Sequence, residues 1–275
     1  MIRLAKWMRR HRDSGPAERI DHSSPWWGEH MARYAFVELR VAGRTVLDVA
    51  CGTGYGLPRL QKTAKWVVGV DIDERAAELA RREVDPKRGE VLVADATRLP
   101  FGDGHFDAVT SFETLEHLPR RGEFLREISR VLSDGGVFFV STPNANYTRP
   151  IDGKPRNPYH LHEYHSAELV AELEACFGGV ELVGQRLDSR FVVPPFDWDL
   201  QQERDPVIRA NAFVRRFVRR LPSVARDHAS ALLWGHTFFP HESDYRFSAV
   251  GVEEASVLLA ICTKASRGRG EWQVK

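Results

Sequence analysis

The chain is short of cysteine, of long apolar runs and of net charge, and each shortage narrows what the protein can be. Its 275 residues include three cysteines, Cys51, Cys176 and Cys262, far apart and without a CxxC pair. That speaks against a disulfide frame or a zinc knuckle and fits a reduced, cytoplasmic protein. No apolar run approaches the ~18 residues that a membrane span needs. The basic opening "MIRLAKWMRRHR" leads into no continuous apolar stretch, so a cleaved signal peptide is not expected. Lys and Arg number 39 against 38 Asp and Glu, a formal net charge of +1. A generally basic nucleic-acid binder would carry far more, so no nucleic-acid partner is expected.

What is present is an ordinary globular composition, 43% hydrophobic and 28% charged, enough for a sizeable core. Short β-branched runs alternate with amphipathic stretches. "TVLDVA", "KWVVGVDI", "EVLVAD", "FDAVTSF" and "VFFVSTPN" read as strands. "GLPRLQKTA", "DERAAELARREV" and "RRGEFLREISRVLSDGG" read as the helices between them, Asp73 capping the second and paired glycines stopping the third. Strict alternation over residues 46–142 predicts a doubly wound α/β sheet with its ligand crevice at the carboxyl ends of the strands. A helix carrying Met31, Tyr34, Ala35 and Leu39 on one side precedes it. After the core come a long loop, "NANYTRPIDGKPRNPYHLHEYH", a helix capped by Ser166, and two further strands, "GVELVGQRLD" and "EASVLLAICTKAS". The expected organisation is a basic arm (1–24), a core (25–189), a largely helical insertion (190–250), a final core strand (251–266) and a tail (267–275).

The densest signal is "VLDVACGTGYG", residues 46–56. Gly52, Gly54 and Gly56 strip one side of a turn of side chains, so a flat ligand could lie against backbone N–H groups. The spacing is G-x-G-x-G, not the G-x-G-x-x-G of dinucleotide sites. Asp48, four residues before the first glycine, would repel a pyrophosphate and attract a ligand carrying an ammonium and a sulfonium. Asp71 follows Gly52 by nineteen residues at the end of the second strand, where a carboxylate accepts from a ribose diol. Asp95 ends the third strand and is suited to an adenine amino group, with Ala96 and Thr97 offering N–H groups to the ring; a helix-capping role is equally open to it.

"VLDVACGTGYG", "VVGVDID", "VADATRLPF", "FDAVTSFETLEHL" and "LSDGGVFFVSTPN" resemble the successive motifs of class I S-adenosylmethionine-dependent methyltransferases, in order and spacing across roughly residues 30–145. The resemblance implies a Rossmann-like seven-stranded sheet with its last strand antiparallel. It implies S-adenosyl-L-methionine as cofactor. Within its site, Gly52 and Gly54 face the methionine, with Ala50 and Thr53 in the same turn. Asp71 and Ile72 lie at the ribose, Asp95, Ala96 and Thr97 at the adenine, and Phe112 on the other face of the ring. Arg33 falls where similar enzymes place a basic residue against the methionine carboxylate; a solvated helix arginine is the other reading.

Methyl transfer to oxygen benefits from a base or a metal. In "ETLEHL", Glu113, Glu116 and His117 reproduce an E-x-x-E-H pattern similar to that of ubiquinone-biosynthesis O-methyltransferases, some of which hold a divalent metal there. Trp26 and Trp27 are similar to a tryptophan pair in that group. The implied ion is Mg²⁺ or Mn²⁺; alternatively His117 lines the site as a general base. In "NPYHLHEYH", His160, His162, Glu163 and His165 crowd one loop, similar to an acceptor-covering segment of methyltransferases of polysaccharide pathways. His162 and Glu163 are the candidates for substrate contact. These features predict O-methylation of a sugar hydroxyl in a glycan or glycosylated metabolite. A phenolic or quinone-type small-molecule acceptor is the alternative, and a non-catalytic adenosylmethionine-binding partner subunit is the reading from another class. "AFVRRFVRRL", with an apolar stripe opposite four arginines, raises peripheral contact with an anionic membrane surface. Oligomeric state is not legible.

Overall fold

The computed structural model describes Ser24, residues 26–191, Val214 and residues 217–265. Arg33–Gln185 with the segment from Phe247 forms one compact unit, and Asp21–Ala32 with Arg186–Arg246 forms another. The basic arm, the tail and most of the arginine-rich stretch fall outside the described residues.

Helix α1 (Trp27–Glu38) leads into the sheet. It tightens into a 3₁₀ turn at Leu39–Val41, which turns Leu39 outward, 78% exposed, off the side where the sequence pattern puts it. Then β1 (Thr45–Val49), α2 (Leu57–Gln61), β2 (Trp66–Asp71), α3 (Glu74–Glu83) and β3 (Gly89–Val93) follow one another. Next come β4 (Phe106–Phe112), α4 (Arg121–Val131) and β5 (Leu132–Pro143). Beyond them lie α5 (Ala145–Thr148), α6 (Ser166–Glu174), β6 (Gly179–Leu187), α7 (Ser223–Trp234), β7 (Tyr245–Ser248) and β8 (Val257–Thr263).

The sheet has eight strands in the order β3-β2-β1-β4-β5-β8-β6-β7. Strands β1 to β5 pair in parallel, and β8 runs antiparallel to both β5 and β6. The seven strands expected are joined by an eighth, the four-residue "YRFS" of β7, too short to stand out as a periodic run. Central strands are covered on both faces: four of five residues in β1 and six of seven in β4 are buried, hence their near-continuous apolar character. Helix α4 packs Phe124, Leu125, Ile128 and Val131 against them, spaced for one face of a helix. Asp73 caps α3 as expected, accepting from the N–H groups of Arg75 and Ala76. At α6 the cap is His165, not Ser166; Ser166 lies one residue inside and its hydroxyl donates to Glu253 instead.

The strand order places the site. The chain winds from β1 outward to β3, returns, and winds the other way from β4, so the connections diverge between β1 and β4. A crevice opens at the carboxyl ends of these two neighbours.

In the other unit, α7 ends at Gly235 in the left-handed region (φ +75°), and Arg190 is paired with both Asp188 and Asp244.

Candidate active site

Two non-glycine residues take positive φ at the mouth of this crevice, Ala50 (φ +58°) after β1 and Glu113 (φ +54°) after β4. Backbone strain of this kind persists only where the surroundings enforce it. Here it turns both chains sharply off adjacent strand ends.

The three glycines of the turn have three different reasons. Gly52, at φ +57°, has nothing within 4 Å of where a Cβ would be, so its bare side faces open space. At Gly54 (φ +81°) a Cβ would stand 2.6 Å from the Cα of Ala80, so the missing side chain admits α3 rather than a ligand. At Gly56 it would lie 2.0 Å from the ring of Tyr34. The argument that a bare glycine makes room for a ligand therefore applies at Gly52 and not at Gly54. Thr53 lies half-buried between the two glycines.

Asp48 does not face the crevice. It is 1% exposed, Oδ2 accepting from the Tyr34 hydroxyl at 2.9 Å and Oδ1 from the Thr110 hydroxyl at 2.6 Å. Burial, only partly offset by these two bonds, pushes its pKa up to about 7. Its place is beneath the turn, not opposite a sulfonium. Phe112 is likewise 7% exposed and meets Tyr34 edge-to-face with centroids 5.1 Å apart, leaving little ring surface for an adenine.

Asp71 stands beside the glycine turn. Gly52 N–H donates to its Oδ2 (2.8 Å) and Asp73 N–H to its Oδ1 (2.9 Å), locking the carboxylate beside the glycine turn. Each oxygen keeps a second lone pair for a diol. Ile72 beside it is 70% exposed, an apolar surface at the strand end. Asp95 closes a turn: its Oδ1 accepts from both N–H and hydroxyl of Thr97, which also hold its pKa below the usual value. Thr97 N–H is thus committed to Asp95 and not offered to a base; Asp95 Oδ2 accepts from Arg120 Nη2 at 3.4 Å, and the half-buried Ala96 lies beside it. Arg33 is not a solvated arginine. It is fully buried, with Nη1 donating to Gln185 Oε1 at 3.0 Å and lying 3.6 Å from Glu113 Oε1.

The loops after β4 and β5 meet at the same mouth. The Glu116 carbonyl accepts from the N–H groups of Leu161 and His162. His117 Nδ1 donates to the Tyr159 carbonyl at 2.9 Å, which fixes the tautomer and leaves the lone pair on Nε2. Burial holds the His117 pKa below the ordinary histidine value, so its ring is neutral at neutral pH. His160 stands edge-on to it, centroids 4.9 Å apart, with its own Nδ1 on Glu163 Oε1 at 2.7 Å.

The expected metal set gives way here, and the two candidates for substrate contact sit differently from one another. Glu163 is 6% exposed, with one oxygen on His160 and the other on Thr148, so both oxygens are engaged in holding the loop, although the residue also lines the cleft beside it. Burial raises its pKa, but the bonds from His160 and Thr148 together outweigh that and hold it low. His162 is apart from His117: its Nε2 lies 2.8 Å from Glu168 and its ring is edge-on to Tyr164. It lines a cleft of about 490 Å³ with Asn146, Arg149, His165 and Glu168. The proposed metal set Glu113, Glu116 and His117 is not assembled either, because Glu113 is turned to Ser141 (2.7 Å) and Arg33. Tyr34, Thr110 and Ser141, which hold the acidic groups, carry no mark of a site role in the sequence, where Tyr34 reads only as part of a helix face; no local pattern marks a residue whose partner is 14 to 62 positions away.

A parallel sheet reversing between β1 and β4, with a bare glycine turn and a ribose-suited carboxylate at the reversal, defines the Rossmann-like fold of class I S-adenosylmethionine-dependent methyltransferases. Residues 47–140 match the family model described as a methyltransferase domain. It is 38% identical over 156 residues to a probable S-adenosylmethionine-dependent methyltransferase of Mycolicibacterium smegmatis, covering 57% of this chain and 60% of that protein. It is 29% identical over 217 residues to the 2-methyl-6-phytyl-1,4-hydroquinone methyltransferase of a Synechocystis strain, covering 74% and 67%. Among solved structures, an S-adenosylmethionine-dependent methyltransferase of Thermotoga maritima superposes with a TM-score of 0.55 at 16% identity, covering 96% of this chain and 95% of that one. The chain thus spans about 60% of the length of the Mycolicibacterium relative.

Proposed function

We propose that the protein is an S-adenosylmethionine-dependent O-methyltransferase in which His117 takes the proton from an acceptor hydroxyl, and that the acceptor is a sugar hydroxyl of a glycan or glycosylated metabolite. The observation that carries the oxygen chemistry is His117: neutral, partly exposed, anchored through Nδ1, with Nε2 free to accept a proton at the end of β4. The sugar reading is supported by the polar lining of the neighbouring cleft, where Asn146, Arg149, His162, His165 and Glu168 offer donors and acceptors suited to a polyol. A hydroquinone acceptor is the second reading, supported by the similarity to the phytylhydroquinone enzyme.

The residues present fit the cofactor: Gly52 leaves room where a side chain would stand, and Asp71 offers two fixed acceptor lone pairs. Bound there, adenosylmethionine supplies a methyl group activated by its sulfonium. Asp71 would orient the ribose and the Gly52 turn would seat the methionine, while Arg33 would face its carboxylate. The Tyr159 carbonyl keeps the Nδ1 proton on His117 through the transfer, so Nε2 is the atom that receives the hydroxyl proton.

Transfer of a labelled methyl group into polysaccharide, sugar-nucleotide and quinone fractions tests both parts. His117→Asn should lower kcat about 10²–10⁴-fold with little change in acceptor KM. Activity within threefold of the parent would remove the base; labelling confined to the quinone fraction would decide for the second acceptor.

A further inference from the structure

Glu116 is the anomaly of the site. It is fully buried, Oε2 accepts from the Thr142 hydroxyl at 3.1 Å, and Oε1 has no hydrogen-bond partner. A buried carboxylate oxygen left unmatched is costly unless something completes it. It points to the two imidazoles: His117 Nε2 is 3.8 Å away, and an oxygen of Glu116 and one ring nitrogen each of His117 and His160 lie within 4.8 Å of one another. Among the described residues this is the group of three that could hold a metal ion.

The surroundings are those of a metal-binding pair of histidines. His117 Nδ1 is turned to the Tyr159 carbonyl and His160 Nδ1 to the Glu163 carboxylate, so both rings are oriented from behind by oxygen acceptors. Ligating histidines are oriented in this way, and the Nε2 atoms are left to bind. His160 Nε2 accepts from the Asn157 side chain, an exposed neutral donor that a dication displaces. Two imidazoles and one carboxylate suit a borderline transition metal rather than Mg²⁺, which prefers oxygen donors and retains its waters. Donors of a tetrahedral shell at 2.1 Å stand about 3.4 Å apart, so the three groups need to draw together by roughly an ångström.

We propose that Glu116, His117 and His160 form a site for a divalent transition metal of the Zn²⁺ type, and that its occupation switches methyl transfer off by taking the His117 Nε2 lone pair. The inhibitory part rests on His117 being the base; the site itself does not. No covalent step is involved: the metal competes with a proton for one nitrogen.

The test uses the full chain freed of metal by chelator. Titration with Co²⁺ should produce visible absorption bands saturating at one ion per chain, and Zn²⁺ should displace them. Glu116→Gln and His160→Phe should each weaken Co²⁺ binding at least tenfold while adenosylhomocysteine still binds, which shows that the variants are folded. Equal Co²⁺ binding in parent and variants, or no saturable binding in the parent, overturns the site. Micromolar Zn²⁺ should lower methyl transfer at least tenfold, reversibly by chelator. Transfer that requires the metal, or is indifferent to it while Co²⁺ binds, overturns the inhibitory role. A metal-free protein inert toward every acceptor fraction would count against the proposed transferase function and leave the Co²⁺ titration to decide the site.

Discussion

At Gly54 an added methyl group has nowhere to go. Its Cβ would stand 2.6 Å from both Cα and Cβ of Ala80, and the backbone is held at φ +81°. Gly54→Ala should destabilise the fold by about 2–4 kcal/mol, overpacking and the left-handed conformation adding together. Gly52→Ala meets no atom within 4 Å, so only the conformational cost of about 1 kcal/mol applies. Cofactor affinity should respond in the opposite way, falling at least tenfold in Gly52→Ala while Gly54→Ala protein that remains folded keeps most of it. Urea denaturation and calorimetry on both variants separate the two roles; equal stability losses would refute the assignment. Asp48 gives a second contrast. Its pKa is raised by burial from 3.8 to about 7, so the folded state holds this proton to higher pH than the unfolded chain does. The folded state is therefore favoured at low pH, and that advantage is lost as pH rises from about 4 to about 7, a span on the order of 4 kcal/mol. Asp48→Asn removes the titration and keeps a polar group between Tyr34 and Thr110. The variant should gain stability relative to the parent steadily from pH 4.5 to 7 and by no more above it. A stability difference independent of pH would show that Asp48 is ionised in the fold.

At the scale of elements, the end of β5 is fastened by one side chain. Asn144 is fully buried, and its Nδ2 donates to the carbonyls of Val252 (3.1 Å), Glu253 (3.1 Å) and Ala255 (2.9 Å). Its Oδ1 accepts from Asn146 N–H, starting α5. This one amide ties the loop that follows β5, and so His160 and Tyr159, to the turn preceding β8. Asn144→Ala should cost about 2–4 kcal/mol, because carbonyls built around two donors lose both. Asn144→Asp, which sets a carboxylate against three carbonyls, should cost at least as much; urea denaturation measures both, and a loss under 1 kcal/mol would show that water replaces the amide. Elements of this kind also mark where sequence reading stops. Strands β1 to β5 were legible because burial on both faces writes them as continuous apolar runs, and the glycine turn because φ above zero selects residue type. The nearness of Asp71 to the glycine turn was legible from the strand ends on which both lie. The use of Gly54 for helix packing was not, since a glycine needed for space and one needed for a ligand look alike in sequence. Nor was the meeting of "ETLEHL" with "NPYHLHEYH", about forty residues apart: it depends on carbonyl bonds from Glu116 and Tyr159, which carry no side-chain signature.

At the scale of the molecule, the matched domain lies within the unit formed by Arg33–Gln185 and the segment from Phe247. Among the described residues no helix is long and apolar enough to cross a membrane. A ligand seated at the carboxyl ends of β1, β2 and β4 touches loops that leave three neighbouring strands of one sheet, so its binding energy is added to the stability of that whole unit. Mass action sets the size: a ligand at a hundred times its Kd stabilises by about 2.7 kcal/mol. For a chain of this length each kcal/mol is worth roughly 2–4 °C in Tm, so adenosylhomocysteine should raise the melting temperature by about 5–10 °C. NADH, which carries a pyrophosphate that the G-x-G-x-G turn is not spaced to receive, should leave it unchanged. Asp71→Asn keeps one of the two acceptors for the Gly52 and Asp73 N–H groups and loses a charged acceptor for the diol, so the unliganded variant should melt a few degrees below the parent and its ligand-induced shift, measured from its own melting point, should fall to a few degrees or less. A full shift in that variant would move the nucleoside away from β2, and with it the assignment of the crevice between β1 and β4 as the seat of the cofactor.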